Sequence, residues 1–212
     1  MLKQLVFLSF SLCLVAACSP SSLLTSNAPA ETIYTLTPKS YADTQKPDNP
    51  GLLEINPVRV APHLETDRIL IKKDGRELDY YAGAKWASRT GDMVYGFLQR
   101  SLENRFGPVV VSSDDTRLHP DNVLQIEVRD FQAEYTGSTE IPPKIKVTLN
   151  AYILNRDSRE QNDHMQFTKT IKAADNTLAA VTFGFEKAMR RVIEHIIDDL
   201  VIENLAKKPA EP

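Results

Sequence analysis

Two cysteines, four histidines and two aspartate pairs are the residues of this 212-residue chain whose types could do chemistry. His63, His119, His164 and His195 stand far apart. Neither the H-x-x-x-H nor the H-E-x-x-H spacing occurs, so no helix presents two imidazoles to one metal. The eight glycines are scattered among turns and helix ends. They build no phosphate-cradling loop, and no G-x-S-x-G turn exposes a nucleophile. Asp114-Asp115 and Asp198-Asp199 are sequence neighbours, whose side chains point apart on a strand or helix and read as exposed charge. No catalytic residue, metal ligand or bound cofactor is assigned, and the expectation is a protein that is not an enzyme. Cys18 is the exception, because of what surrounds it.

The first 18 residues read MLKQLVFLSFSLCLVAAC. Lys3 gives a short positive start, Leu5 to Val15 an apolar core, and Ala16-Ala17 the small residues a peptidase needs before its cut. Val15-Ala16-Ala17-Cys18 resembles the lipobox of bacterial lipoproteins, with Val15 where Leu is commoner. That resemblance implies a signal peptide over residues 1–17 and a Cys18 that becomes the first mature residue. Cys18 would carry S-diacylglycerol and an N-acyl chain of the palmitate type. No other cofactor is expected. Cys13 leaves with the leader, so no disulfide forms within the mature chain, and covalent lipid accounts for a lone exported cysteine. One acyl chain holds a protein only marginally, at about 0.8 kcal/mol per buried CH₂, whereas three anchor it for good. Asp after the cysteine would mark inner-membrane retention. Ser19 instead favours the outer membrane, facing the periplasm.

The elements behind Cys18 must then do the rest. Hydrophobic residues make up 42% of the chain and charged ones 25%, as in ordinary globular proteins. The formal charge of −3 becomes −4 once Lys3 is removed, with no Lys/Arg cluster, which argues against nucleic acid. Beyond the leader no apolar run approaches membrane-span length. Residues 18–32 read as the lipidated cysteine and a flexible tether, 33–206 as one folded domain, and 207–212 as a disordered tail. The 13 residues Ser19 to Glu31 have a root-mean-square reach of roughly 20 Å if flexible, which keeps the domain near its membrane.

Ile33 to Thr37 and Leu52 to Val60 are strand candidates, with Pro57 forcing an edge or bulge in the second. Arg68 to Lys72 and Arg76 to Tyr81 form a predicted hairpin around Asp74-Gly75. From Ala84 to Phe106 the spacing of Trp86, Met93, Val94, Phe97, Leu98, Leu102 and Phe106 predicts one helix, ended by Gly107-Pro108. Val109 to Val111 reads as a short strand. Leu124, Ile126 and Val128 alternate with polar residues. The apolar phase then slips to Phe131, Ala133 and Tyr135, which predicts a β-bulge near Arg129-Asp130. Ile145 to Ile153 alternates cleanly. Met165, Phe167, Lys169 and Ile171 make a weaker strand at a sheet margin. Thr177 to Ala206 is a second long helix whose Leu178, Val181, Phe185, Met189, Val192, Ile196 and Leu200 share one face. The expected fold is α+β, with layers that could be of α/β type. A mixed, largely antiparallel sheet is covered on one face by two amphipathic helices.

The stretch LEINPVRVAPHLETDRILIKKDGRELDYYAGAKWA, from Leu53 to Ala87, carries a recognisable order of residues. With Tyr34-Thr35-Leu36 before it, it resembles the ABC-type transport auxiliary lipoprotein component family, which includes the paraquat-inducible C-type lipoproteins. The matching positions are Tyr34, Leu36, Val60, Pro62, Arg68, Tyr80, Tyr81 and Trp86, the last at the predicted start of the first helix. They are read as markers of the fold, with Pro62 ending a strand and Trp86 clamping helix to sheet. The resemblance implies a docking lipoprotein at the outer membrane for an intermembrane lipid transport system. Its partners would be a substrate-binding protein with a mammalian-cell-entry-type domain, a permease and an ATPase. Assembly as a homo-oligomer is left open. The alternative is an independent periplasmic lipid or solute carrier, with an apolar cavity lined by residues such as Phe97, Val147 and Ile196.

Overall fold

In the computed structural model the described residues are 30–40, 53–107, 110–112, 120, 122–155 and 161–206. Cys18, most of the expected tether, His119, Asp114-Asp115 and the expected tail lie outside them. From Glu31 onward the chain forms one compact unit. In chain order its elements are β1 (Thr32–Tyr34), β2 (Leu53–Ile55), β3 (Arg59–Val60), a 3₁₀ turn (Pro62–Leu64), β4 (Arg68–Lys73), β5 (Glu77–Trp86) and α1 (Thr90–Phe106). Then follow β6 (Val110–Ser112), β7 (Asn122–Tyr135), β8 (Lys144–Asn155), β9 (Gln161–Lys172) and α2 (Leu178–Ala206).

β7 is the axis. On one side it pairs antiparallel with β8 along its whole length, and β8 pairs antiparallel with β9. Its other side is taken by three short parallel pieces: β2 on residues 122–124, β3 on 127–128 and β4 on 133–135. Residues 53–73 thus make one interrupted strand beside β7. The first break is at Asn56-Pro57-Val58, where Pro57 has no N–H to give the ladder. The second is the Ala61–Asp67 excursion, which opens with Pro62 at the start of the 3₁₀ turn. β5 continues the sheet antiparallel to β4, and β1 lies parallel to β5 beyond it. β6 lies parallel to β2. The sheet is therefore mixed, with its longest ladders antiparallel and the short pairings parallel.

Local chemistry explains the main boundaries. The β4–β5 turn places Asp74 at φ 48° and Gly75 at φ 72°, the left-handed pair that Asp-Gly tolerates. The phase slip in β7 is a register shift between Val128 and Asp130, at the predicted bulge. Gly107, at φ 87°, ends α1 and its N–H donates to the Glu103 carbonyl at 2.8 Å. Thr177 caps α2, its Oγ1 accepting from the Ala180 N–H at 3.3 Å.

The first helix starts later than its spacing suggests. Ala84 to Trp86 belong to β5 and pair with Thr32 to Tyr34, and α1 begins only at Thr90. Trp86 is thus the last residue of a strand and not part of a first helical turn. The pairing with β1 supplies hydrogen bonds that a helix would otherwise have to make, and it comes from residues about fifty positions away.

The inward residues of β7 and β8 join Met93, Val94, Phe97, Leu98, Leu102 and Phe106 of α1 in a single apolar core. Val181, Phe185, Met189, Val192, Ile196 and Leu200 of α2 belong to it too. Both helices therefore cover one face of the sheet. Val147 and Ile196 are 0% exposed and Phe97 1%. A side chain without surface open to a water-sized sphere borders no void that water could fill, so these residues line no such cavity. This removes the cavity that the carrier alternative requires at these positions. Among the described residues no helix is long and apolar enough to cross a membrane.

Candidate functional site

Some of the residues singled out from sequence lie in the region where β1, the Ala61–Asp67 excursion and the start of α1 meet. Tyr34 pairs with Trp86, and the Ala87 N–H donates to the Tyr34 carbonyl at 2.8 Å. The Trp86 N–H donates to the Asp67 carbonyl at 2.6 Å. Its indole packs edge-on against Phe185 of α2 at 5.2 Å and tilted against Phe131 of β7 at 5.8 Å. Trp86 thus joins the strand end to the second helix and the central strand. Leu36 is buried just past β1.

The excursion is bound to α1 at close range. Both the Thr90 N–H and its hydroxyl donate to the Thr66 carbonyl, each at 3.1 Å. A Cβ added at Gly91 would lie 3.1 Å from Glu65 Oε2 and 3.2 Å from Val60 Cγ2, so the helix start sits close against the excursion and a larger residue would have to displace these side chains by a few tenths of an ångström. Val60 faces this helix start, and Pro62 opens the excursion with an exposed side chain. Arg68 opens β4 with its guanidinium 4.2 Å above the Tyr80 ring, a cation–π pair. Tyr81 is engaged elsewhere, its hydroxyl 2.7 Å from that of Tyr135. The structure thus pairs Tyr34 with Trp86 and sets Val60 at the start of α1, with the Arg68–Tyr80 pair beside them; Leu36 lies in the core, Pro62 is exposed at the start of the 3₁₀ turn, and Tyr81 is engaged elsewhere.

A second feature escaped sequence reasoning. After β1 the chain crosses the outside of both helices as a strap. The Thr37 N–H donates to Glu186 Oε2 at 3.0 Å, and Arg190 Nε donates to the Thr37 carbonyl at 2.9 Å. Lys39 reaches Glu194 at 3.4 Å, and Asn104 of α1 donates to the Lys39 carbonyl at 3.0 Å. The available signal was the stripe Glu186, Arg190, Glu194, at four-residue spacing beside the apolar face of α2.

The face of the sheet away from the helices is polar and internally bonded. Glu127 accepts from Arg129 at 2.8 Å, from Tyr152 at 3.2 Å and from Asn150 at 3.3 Å, which together hold its carboxyl below the usual range against burial. Burial acts to raise the Asp130 carboxyl. Hydrogen bonds from Thr148, Lys146 and Gln132 outweigh it and hold that group below its ordinary value. His164 stacks on Tyr152 and His195 on Phe167, on opposite faces of β9. Among the described residues no group of three or more His, Cys, Asp or Glu could hold a metal ion. These contacts hold chain segments in place; what they offer a partner is shaped surface.

The profile of the family described as ABC-type transport auxiliary lipoprotein component matches residues 34–197. No curated protein matches the chain. Among solved structures, protein XCC0632 from Xanthomonas campestris, of family DUF330, superposes with a TM-score of 0.74 at 24% identity. The match covers 84% of this chain and 99% of that one. An uncharacterized protein gives a TM-score of 0.63 at 14% identity, over 81% and 99% of the two chains. Both likenesses are of fold. With the profile running from β1 into α2, and so across the junction built around Trp86, the chain belongs to the ABC-type transport auxiliary lipoprotein component family.

Proposed function

We propose that the protein is a docking component of an ABC-type intermembrane lipid transport system, fixed to the outer membrane by lipid on Cys18 and facing the periplasm. The observation that carries this reading is the family profile over residues 34–197 lying directly behind the Val15-Ala16-Ala17-Cys18 motif. In this reading the chain performs no catalytic step. The ATPase supplies the energy, the permease and the mammalian-cell-entry-type substrate-binding protein move the lipid, and this chain gives them a fixed point. A tether of 13 residues from Ser19 to Glu31 keeps the folded unit near its membrane and raises its effective concentration for a partner arriving there. The tightly packed core and the internally bonded sheet face suit a rigid docking surface.

The test is crosslinking and pull-down of the native protein from envelope membranes, compared with a Cys18→Ser variant. The expected result is recovery of a mammalian-cell-entry-type subunit with the native protein, and loss of membrane attachment and transport support with the variant. Full transport by a soluble Cys18→Ser protein, or no such partner under crosslinking, overturns the reading.

A further inference from the structure

One surface has no part in the marker junction. Beside the strap at Lys39 a groove of about 310 Å³ runs along the outside of α2. Phe183 stands in it at 64% exposure, the largest such value among the described large apolar side chains. Lys187, Arg190 and Arg191 line it together with Glu186 and Glu194. With Lys39, the lining carries four cationic and two anionic groups, although the chain as a whole is negative. Arg190 is engaged with Glu186 at 2.8 Å and Arg191 with Glu194 at 3.2 Å. Lys187 makes no ion pair among the described residues.

We infer that this surface rests on an anionic phospholipid membrane, Phe183 entering the headgroup region and Lys187 and Arg191 meeting lipid phosphates. This rests on the Cys18 anchor of the preceding subsection. Two observations favour a membrane as the occupant. The first is where the chain arrives. The 13 residues after Cys18 lead into β1, and the strap that follows β1 borders the groove. On the expectation from sequence that residues 19–31 are a flexible tether with a reach of roughly 20 Å, this side of the unit stays within touching distance of the bilayer. The second is the chemistry. An exposed aromatic ring among Lys and Arg, with local positive charge on a negative protein, complements an anionic lipid surface.

The test supplies the tether by chemistry. All of the core and the compact unit lie beyond Glu31, so a chain of Cys18–Pro212 retains the folded part and carries one thiol. Coupling that thiol to maleimide lipid fixes the chain to vesicles of phosphatidylethanolamine and phosphatidylglycerol bearing brominated acyl chains, which quench nearby tryptophan. Trp86 is buried and serves as the internal baseline. Phe183→Trp places a reporter in the groove. Leu78→Trp places one at an exposed site about 26 Å along β5 from Trp86.

The expected result is at least a twofold loss of the added emission at position 183 and little at 78. The loss should be reversed by Lys187→Glu with Arg191→Glu, and by raising salt from about 0.1 to 1 M, which shortens screening to about 3 Å. No quenching at 183, equal quenching at both sites, or the same quenching on neutral phosphatidylcholine overturns the inference. The mass of the N-terminal peptide from envelope membranes tests the lipid on Cys18 separately, so either idea can fail without the other.

Discussion

Tyr81 and Tyr135 share a hydrogen bond whose direction the next residue fixes. Tyr135 donates to Asn176 Oδ1 at 2.6 Å, so Tyr81, 2.7 Å away, is the donor to Tyr135. Asn176 in turn donates to the Thr139 carbonyl at 2.6 Å. The chain of bonds ties β5, the end of β7, the β7–β8 loop and the approach to α2. Burial first, and then the Tyr135 hydroxyl, keep the Tyr81 phenol protonated beyond its ordinary range.

Removing the outer member should cost less than removing the middle one. Tyr81→Phe loses one bond, about 1 kcal/mol, whereas Tyr135→Phe breaks both bonds and leaves the partly buried Tyr81 hydroxyl without its acceptor, and should cost about 2 kcal/mol. Urea unfolding of both single variants and the double variant reads this directly. A zero coupling between the two would contradict the chain of bonds.

Gly184 of α2 packs on Ile145 so closely that an added Cβ would lie 2.8 Å from Ile145 Cγ1. Gly184→Ala should therefore destabilise by about 1–3 kcal/mol despite alanine's better helix propensity. In an Ile145→Ala background the same change should become neutral or favourable, because the methyl then fills the space opened. Thermal or urea unfolding of the four-member cycle gives the sign. An unchanged penalty would show that helix and strand do not meet as described.

Trp86 is 1% exposed and touches both Phe131 and Phe185. Trp86→Ala should cost about 3–5 kcal/mol, the range for a large aromatic emptied from a core. Trp86→Phe should recover part of that by keeping one ring against Phe185. Near-ultraviolet circular dichroism with urea unfolding checks that the loss is tertiary.

Asp130 gives a pH dependence of known sign. Its folded pKa lies below the ordinary value, so its contribution is present above about pH 4, the unfolded range. It fades as pH falls through the lower folded value. Asp130→Asn should flatten the acid limb of the stability curve below about pH 4, while losing stability at neutral pH. Equal slopes for the two proteins in that range would remove Asp130 as a source of acid sensitivity.

Several elements were legible because their cause is local. Asp74-Gly75 announces a left-handed turn, and the slip from Val128 to Phe131 announces the bulge, since alternation has a strict period of two. Pro57 shows that its strand is compromised, but not that residues 53–73 return twice more to the same neighbour. That pairing along β7 is a matter of backbone hydrogen bonds between distant residues, which leave no periodic trace. Trp86 shows the same limit. Its spacing to Met93 and Phe97 suits a helix, and only β1 pairing beyond it makes Ala84 to Trp86 a strand.

By itself the sequence determined the motif at Cys18, the apolar faces of α2, β7 and β8, and the family to which residues 34–197 belong. These are properties of residue type and short-range order, fixed by side-chain chemistry and backbone periodicity. Only the tertiary structure decided that Tyr34 pairs with Trp86, that Val60 meets the start of α1, that residues 36–39 strap the helices, and that Phe183 and Lys187 border the chain leading from β1. Those relationships depend on which faces pack together, and packing is settled by the whole core at once, through shape and burial across more than a hundred residues of chain.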